Sequence, residues 1–101
     1  MKIEFTQSGG FAGAIRRCTL DTRTMSATDA EVLEGLVRAA NLADGPAERL
    51  SSSGRDLEEY QIAVEDDSRS ATVVRDSSTL SPEGKALVGY LKKCARPGAP
   101  G

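Results

Sequence analysis

Three groupings along the chain have residue types that could do chemistry: the stretch Ser8-Gly9-Gly10-Phe11-Ala12-Gly13, the thiols Cys18 and Cys94, and the acids Glu65-Asp66-Asp67. Histidine is absent, which removes histidine acid–base catalysis, Ser-His triads, Cys-His dyads and His-containing zinc sites. Two thiols alone do not make a structural zinc site. In a cytosolic chain they read as two small buried hydrophobes, with a single disulfide as the other reading. The three acids lack the alternating ligand spacing of a calcium loop and read as a solvated hairpin tip. The glycine stretch has no Lys-Ser/Thr to hold a nucleotide and leads into a strand, so no helix N-terminus is available to a phosphate. No catalytic residue, cofactor or metal site emerges, and the chain reads as a non-enzyme.

The glycine stretch does offer one large apolar residue, Phe11, among residues without bulk. Two roles stand open for it. As an anchor it enters a pocket on a protein partner, a common hot-spot arrangement; otherwise it curls back to close the edge of the sheet.

The elements that must position the stretch are strands. Residues 2–7 alternate, with Ile3 and Phe5 on one side and Lys2, Glu4 and Thr6 on the other, the period of a half-buried strand. Residues 14–20 form the return strand, Cys18 and Leu20 inward, and one of Arg16 and Arg17 must share that inward side with its stem packed and its head in water. The glycine stretch is therefore the tip of a β-hairpin.

A polar connector, Asp21-Thr22-Arg23-Thr24, precedes a helix capped by Ser26 or Thr28; Thr28-Asp29-Ala30-Glu31 fits a capping box. Val32, Leu33, Leu36, Val37 and Ala40 form its apolar stripe, and Asn41 followed by Gly45-Pro46 ends it. Residues 44–56 read as an irregular, solvated connector. A third strand spans Leu57 to Val64 with Tyr60, Ile62 and Val64 inward. A fourth spans Arg69 to Arg75 with Val73 or Val74 inward. Ser81-Pro82-Glu83 opens a last helix with Leu87, Val88, Leu91 and Cys94 on its apolar face and Lys92, Lys93 and Arg96 near its negative end. Two hairpins, each followed by a helix, predict an α+β two-layer sandwich: a four-stranded antiparallel sheet with two helices on one face, in the order ββαββα. Residues 1–96 read as a single domain and 97–101 as a flexible C-terminal tail.

With 101 residues, 28% charged, and a net charge of −2, the chain carries no global field suited to nucleic acid or an anionic membrane. No apolar run approaches the ~18 residues needed to cross a bilayer, and no signal-peptide core follows Lys2. The reading is a cytoplasmic protein, monomeric when free, whose partner is another protein.

The opening Ile3-x-Phe5-x-x-Ser8-Gly9-Gly10-Phe11-Ala12-Gly13 resembles the start of emfourin, the protealysin-associated inhibitor family. The similarity continues through Leu20-Asp21, Leu36-Val37-x-Ala39-Ala40, Gly54-x-Asp56-x-x-x-Tyr60-x-Ile62-x-Val64-Glu65-Asp66 and Leu87-Val88-x-Tyr90-Leu91 with Ala95-Arg96. It departs at Asn41-Leu42-Ala43 and at Glu58, where the family pattern has aromatics. Members are small bacterial proteins that inhibit thermolysin-like zinc metallopeptidases. The resemblance thus implies a peptidase inhibitor without a metal or cofactor of its own. The expectation drawn from the loop's own composition is that Ser8, Gly9, Gly10, Phe11, Ala12 and Gly13 meet the enzyme. A small-ligand-binding or regulatory module, with a cleft between sheet and helices, is the alternative.

Overall fold

The computed structural model describes residues 1–9, 15–42, 47–50, 58–67 and 69–97. Four strands carry the sheet: β1 (Lys2–Gly9), β2 (Arg16–Asp21), β4 (Glu58–Glu65) and β5 (Ser70–Asp76). Two short strands, β3 (Glu48–Arg49) and β6 (Arg96–Pro97), extend it at either edge, giving the order β3-β5-β4-β1-β2-β6. The four long strands pair with one another antiparallel, and the helices α1 (Ala27–Ala40) and α2 (Pro82–Cys94) complete the expected ββαββα order.

The alternation in β1 has the predicted consequence: Ile3 and Phe5 are buried between Leu20 and Cys18 of β2 on one side and Val64 and Ile62 of β4 on the other. Val73 of β5 joins this face opposite Ile62, whereas its neighbour Val74 is only half-buried. The helices cover the face with Leu33 and Val37 from α1 and Leu87, Val88 and Leu91 from α2. Phe5 stacks on Tyr60 at 6.0 Å between ring centroids, a separation at which aromatic pairs add to the gain from burial.

The caps are local. Ser26, not Thr28, caps α1: its Oγ accepts from Asp29 N at 3.2 Å. Starting the helix at Ala27 places Thr28 within the first turn, where its hydroxyl is no longer positioned to cap. Asn41 ends α1 in the left-handed region at φ 49°, which asparagine tolerates better than most side chains. Ser81 caps α2 as expected, Oγ accepting from Gly84 N at 3.0 Å with Pro82 following. Ser81→Ala should cost about 1 kcal/mol of stability, read as a lower urea midpoint at unchanged slope; an unshifted midpoint would show that the cap contributes nothing.

Four expectations change. Val32 is 48% exposed, because the buried stripe of α1 centres on Leu33 and Val37 and Val32 falls at its margin. Arg16 and Arg17 are both exposed: alternation places Arg16 on the face of Cys18, opposite Gln7, yet its side chain is not buried there. The stretch 44–56 is not wholly irregular, since Glu48–Arg49 pair in parallel with Val74–Arg75. The buried Arg75 helps to hold that edge, its Nη1 donating to Ala47 O at 3.2 Å and Val74 O at 2.9 Å. The chain after α2 turns back as β6, in register Arg16↔Pro97 and Arg17↔Arg96, so pairing extends one residue beyond the expected domain end.

Candidate functional site

The end of the sheet from which the first hairpin projects is built by β1 and β4. Their pairing runs from Lys2↔Glu65 to Gln7↔Tyr60, Ser8↔Glu59 and Gly9↔Glu58. On its other side β1 pairs with β2 up to Gln7↔Arg16. Of the six residues singled out in sequence, Ser8 and Gly9 lie in β1, and Gly10, Phe11, Ala12 and Gly13 lie outside the described residues. Gly9 has φ 77°, in the region that costs a side-chain-bearing residue strain. β1 ends at this residue. On the return side Ile15 is 46% exposed.

A polar cluster braces the same end, and sequence reasoning did not assemble it. Glu58 Oε1 accepts from Lys92 Nζ at 3.2 Å and from the Tyr60 hydroxyl at 3.2 Å, while Gln7 Nε2 donates to Glu58 Oε2. Lys92 Nζ also sits 5.0 Å from the centre of the Tyr60 ring, within cation–π range. The Tyr60 hydroxyl first, and then Glu58 against a desolvation cost, push the Lys92 pKa up and hold it charged. Both ion-pair partners are more than a third exposed, so the pair itself contributes at most about 1 kcal/mol. Its effect is positional: it ties the residue opposite Gly9 to α2. Gln7 Oε1 is buried without a hydrogen-bond partner among the described residues. Glu58 and Tyr60, two apart in one strand, share a face, the single sequence signal for this cluster; Lys92 and Gln7 are too far away in sequence to announce themselves.

The other groupings resolve differently. Cys18 is buried but Cys94 is exposed, and both are free thiols. The expectation of two buried cysteines fails at Cys94, which is exposed in the last turn of α2 although it neighbours Cys18. Burial first, and then the neighbouring Cys94, push the Cys18 thiol up to about 11. A thiol needs its thiolate to react. At pH 8 an alkylating reagent should therefore modify Cys94 promptly and Cys18 only once the protein is unfolded, as counted by mass spectrometry; equal rates would contradict the burial. A pKa raised by folding also means that stability declines as pH climbs from the ordinary thiol value towards 11.

Asp66 and Arg69 close the acidic turn through reciprocal backbone bonds of 2.7 and 3.3 Å. Among the described residues no group of three or more Cys, Asp or Glu side chains is placed to hold a metal ion. A groove of about 500 Å³ lies at the opposite end of the sheet from the hairpin loop, with Val37, Leu42, Val64 and Ala71 in its walls and Arg38, Asp66 and Arg69 at its rim. Its mixed charges and the negative C-terminal end of α1 give it no preference for one ligand charge.

The profile of the Emfourin family matches residues 5–92. The chain belongs to the Emfourin family. The match runs from Phe5 within β1 through β2, α1, β4 and β5 to Lys92 in the last turn of α2, so it spans nearly the whole layer arrangement. Emfourin membership gives the chain a protease-inhibitor-like role in general terms, with a protease as partner, and places it among inhibitors rather than enzymes. No curated protein and no solved structure gives a match. Among the described residues no helix is long and apolar enough to cross a membrane.

Proposed function

We propose that this Emfourin is a proteinaceous inhibitor of a thermolysin-like, protealysin-like zinc metallopeptidase, and that it blocks the active-site cleft with its first hairpin loop. The residues in contact are Ser8, Gly9, Gly10, Phe11, Ala12 and Gly13. Phe11 enters the apolar pocket on the primed side of the cleft while neighbouring backbone groups pair with the cleft edge as a peptide would. Steric exclusion of substrate is sufficient, and no metal, cofactor or catalytic group of the inhibitor takes part.

The observation that carries this reading is the anchoring of β1. It is flanked by β2 and β4, and its pairing with β4 continues to Gly9, where φ turns positive. A loop fed from a strand held on both sides starts from a fixed base, which lowers the ordering cost of binding. The free thiols suit a reducing compartment such as the bacterial cytoplasm. The free inhibitor is monomeric in this reading.

The test is a titration of the purified protein into thermolysin, following cleavage of a short fluorogenic peptide. Stoichiometric loss of activity is the expected result. Undiminished cleavage by thermolysin and by a protealysin-like enzyme at a large excess of the protein would overturn the proposal.

A further inference from the structure

The two cysteines stand near opposite ends of the chain, and the fold brings them together. Cys18 lies within β2, opposite Phe5 of β1 and buried among the core side chains. Cys94 is the last residue of α2. From there the chain enters β6, whose backbone pairs in the register Arg17↔Arg96. One step further along that register, Ala95 comes alongside Cys18, and Ala95 packs against the core cluster that contains Cys18. The two free thiols are close enough to hydrogen-bond to each other.

Packing explains only one of them. Cys18 fills the place of a small core side chain. Cys94 is exposed, although cysteine is among the residue types most often buried. An exposed thiol in contact with a buried one is the arrangement of an attacking thiol beside a resolving thiol. Burial, and then Cys94 itself, push the Cys18 thiol up to about 11, so Cys94 is the one that meets a reagent first. Among the described residues no third Cys, Asp or Glu joins the pair to hold a metal ion, and two thiols alone do not complete a zinc site.

We propose that Cys18 and Cys94 are a reversible redox pair, closed into a disulfide by a small-molecule disulfide such as glutathione disulfide. The Cys94 thiolate attacks one sulfur of the oxidant. The oxidant's S–S bond breaks, one small thiolate leaves, and Cys94 is held as a mixed disulfide. Cys18 then gives its proton to solvent and attacks the Cys94 sulfur; the Cys18–Cys94 bond forms and the second small thiolate leaves. The protein thiols lose two protons and two electrons, and the oxidant takes them up as two thiols. Thiols already in contact have little distance left to close to a bond of ~2.05 Å. Cys94 also lies at a helix end, where the backbone frays most readily. Glu58 of β4 is tied to α2 through Lys92. The disulfide adds β2, so both strands that flank β1 are then fastened to that helix. The pair stands whether or not the chain inhibits a peptidase.

The experiment incubates the reduced wild type with excess glutathione disulfide, denatures it in acid and alkylates the remaining thiols for mass spectrometry. Expected are a protein lighter by two hydrogens with no alkylatable thiol and a Cys18–Cys94 linkage in the peptide map. Its melting temperature should rise by about 10 °C, because the bond closes a long loop of the unfolded chain, and dithiothreitol should restore the starting value. Cys18→Ala should stop at the mixed disulfide on Cys94, and Cys94→Ser should keep a free Cys18. A wild type that ends with glutathione on Cys94 and Cys18 still free overturns the pair, as does one that links only between molecules or keeps both thiols. An internal disulfide that lowers the melting temperature overturns it too, since the native packing would then have to break to form the bond. The wild type alone supplies these readouts, so poor folding of either variant leaves the test intact.

Discussion

Replacing Phe11 with alanine is expected to weaken inhibition of a thermolysin-like peptidase at least tenfold, corresponding to ~1.4 kcal/mol or more. The reason lies in the composition of the loop. Around Phe11 stand Gly9, Gly10, Ala12 and Gly13, which present backbone but almost no side chain, so the aromatic ring is the main apolar area available to fill a pocket. Residues of this kind carry a disproportionate share of binding energy. The inhibition constant should rise through faster dissociation, because losing a buried anchor acts mainly on how long the complex lasts. The variant also separates the two roles open to Phe11. As an anchor its loss leaves the melting temperature near that of the wild type; as a lid on the sheet edge its loss lowers that temperature. A well-folded variant with undiminished inhibition would remove Phe11 from the mechanism.

Phe5→Ala, on the same strand, should act on stability. Phe5 is 1% exposed, faces Cys18 and Ile62 across both neighbouring strands and stacks on Tyr60. Truncating such a ring removes its burial energy and leaves a cavity in a packed core, a loss of ~3–5 kcal/mol. Domains of this size have only ~5–15 kcal/mol in total, so the melting temperature should fall by roughly 15–30 °C. Urea unfolding with an unchanged slope measures the loss directly. A loss below about 1 kcal/mol would mean that the surrounding side chains close the gap, and that Phe5 is not the centre of the sheet's buried face. The two phenylalanines should thus separate by assay, Phe11→Ala acting on inhibition and Phe5→Ala on folding.

Much of the scaffold was legible because it is governed by short-range rules. The alternation of Ile3 and Phe5, and of Tyr60 and Ile62, marks strands whose burial follows from a period of two. Ser81-Pro82 announces the start of α2 because a capping hydroxyl and a fixed proline φ act within one turn. The glycine stretch stands out for the same reason: Gly9 adopts its positive φ where β1 ends. The order of the elements then leads to a two-layer sandwich, and the residue pattern that opens at Ile3 and closes at Ala95-Arg96 leads to the family, whose profile matches residues 5–92.

What lay beyond the sequence depends on contacts between distant segments. Pairs such as Glu48–Arg49 and Arg96–Pro97 are too short to show a period, and they become strands only because β5 and β2 offer open edges. Cys94 continues the apolar spacing of α2 yet ends exposed, since periodicity states which face a residue shares and not how completely its neighbours cover it. Glu58, Gln7 and Lys92 come together across 51 and 34 residues of chain, a separation no local rule reads. Composition alone shows a mildly acidic protein with no field of its own. Pairing β6 with β2 then sets the segment after α2 in register Arg16↔Pro97 and Arg17↔Arg96, because an open strand edge has unmet backbone hydrogen bonds that composition does not reveal.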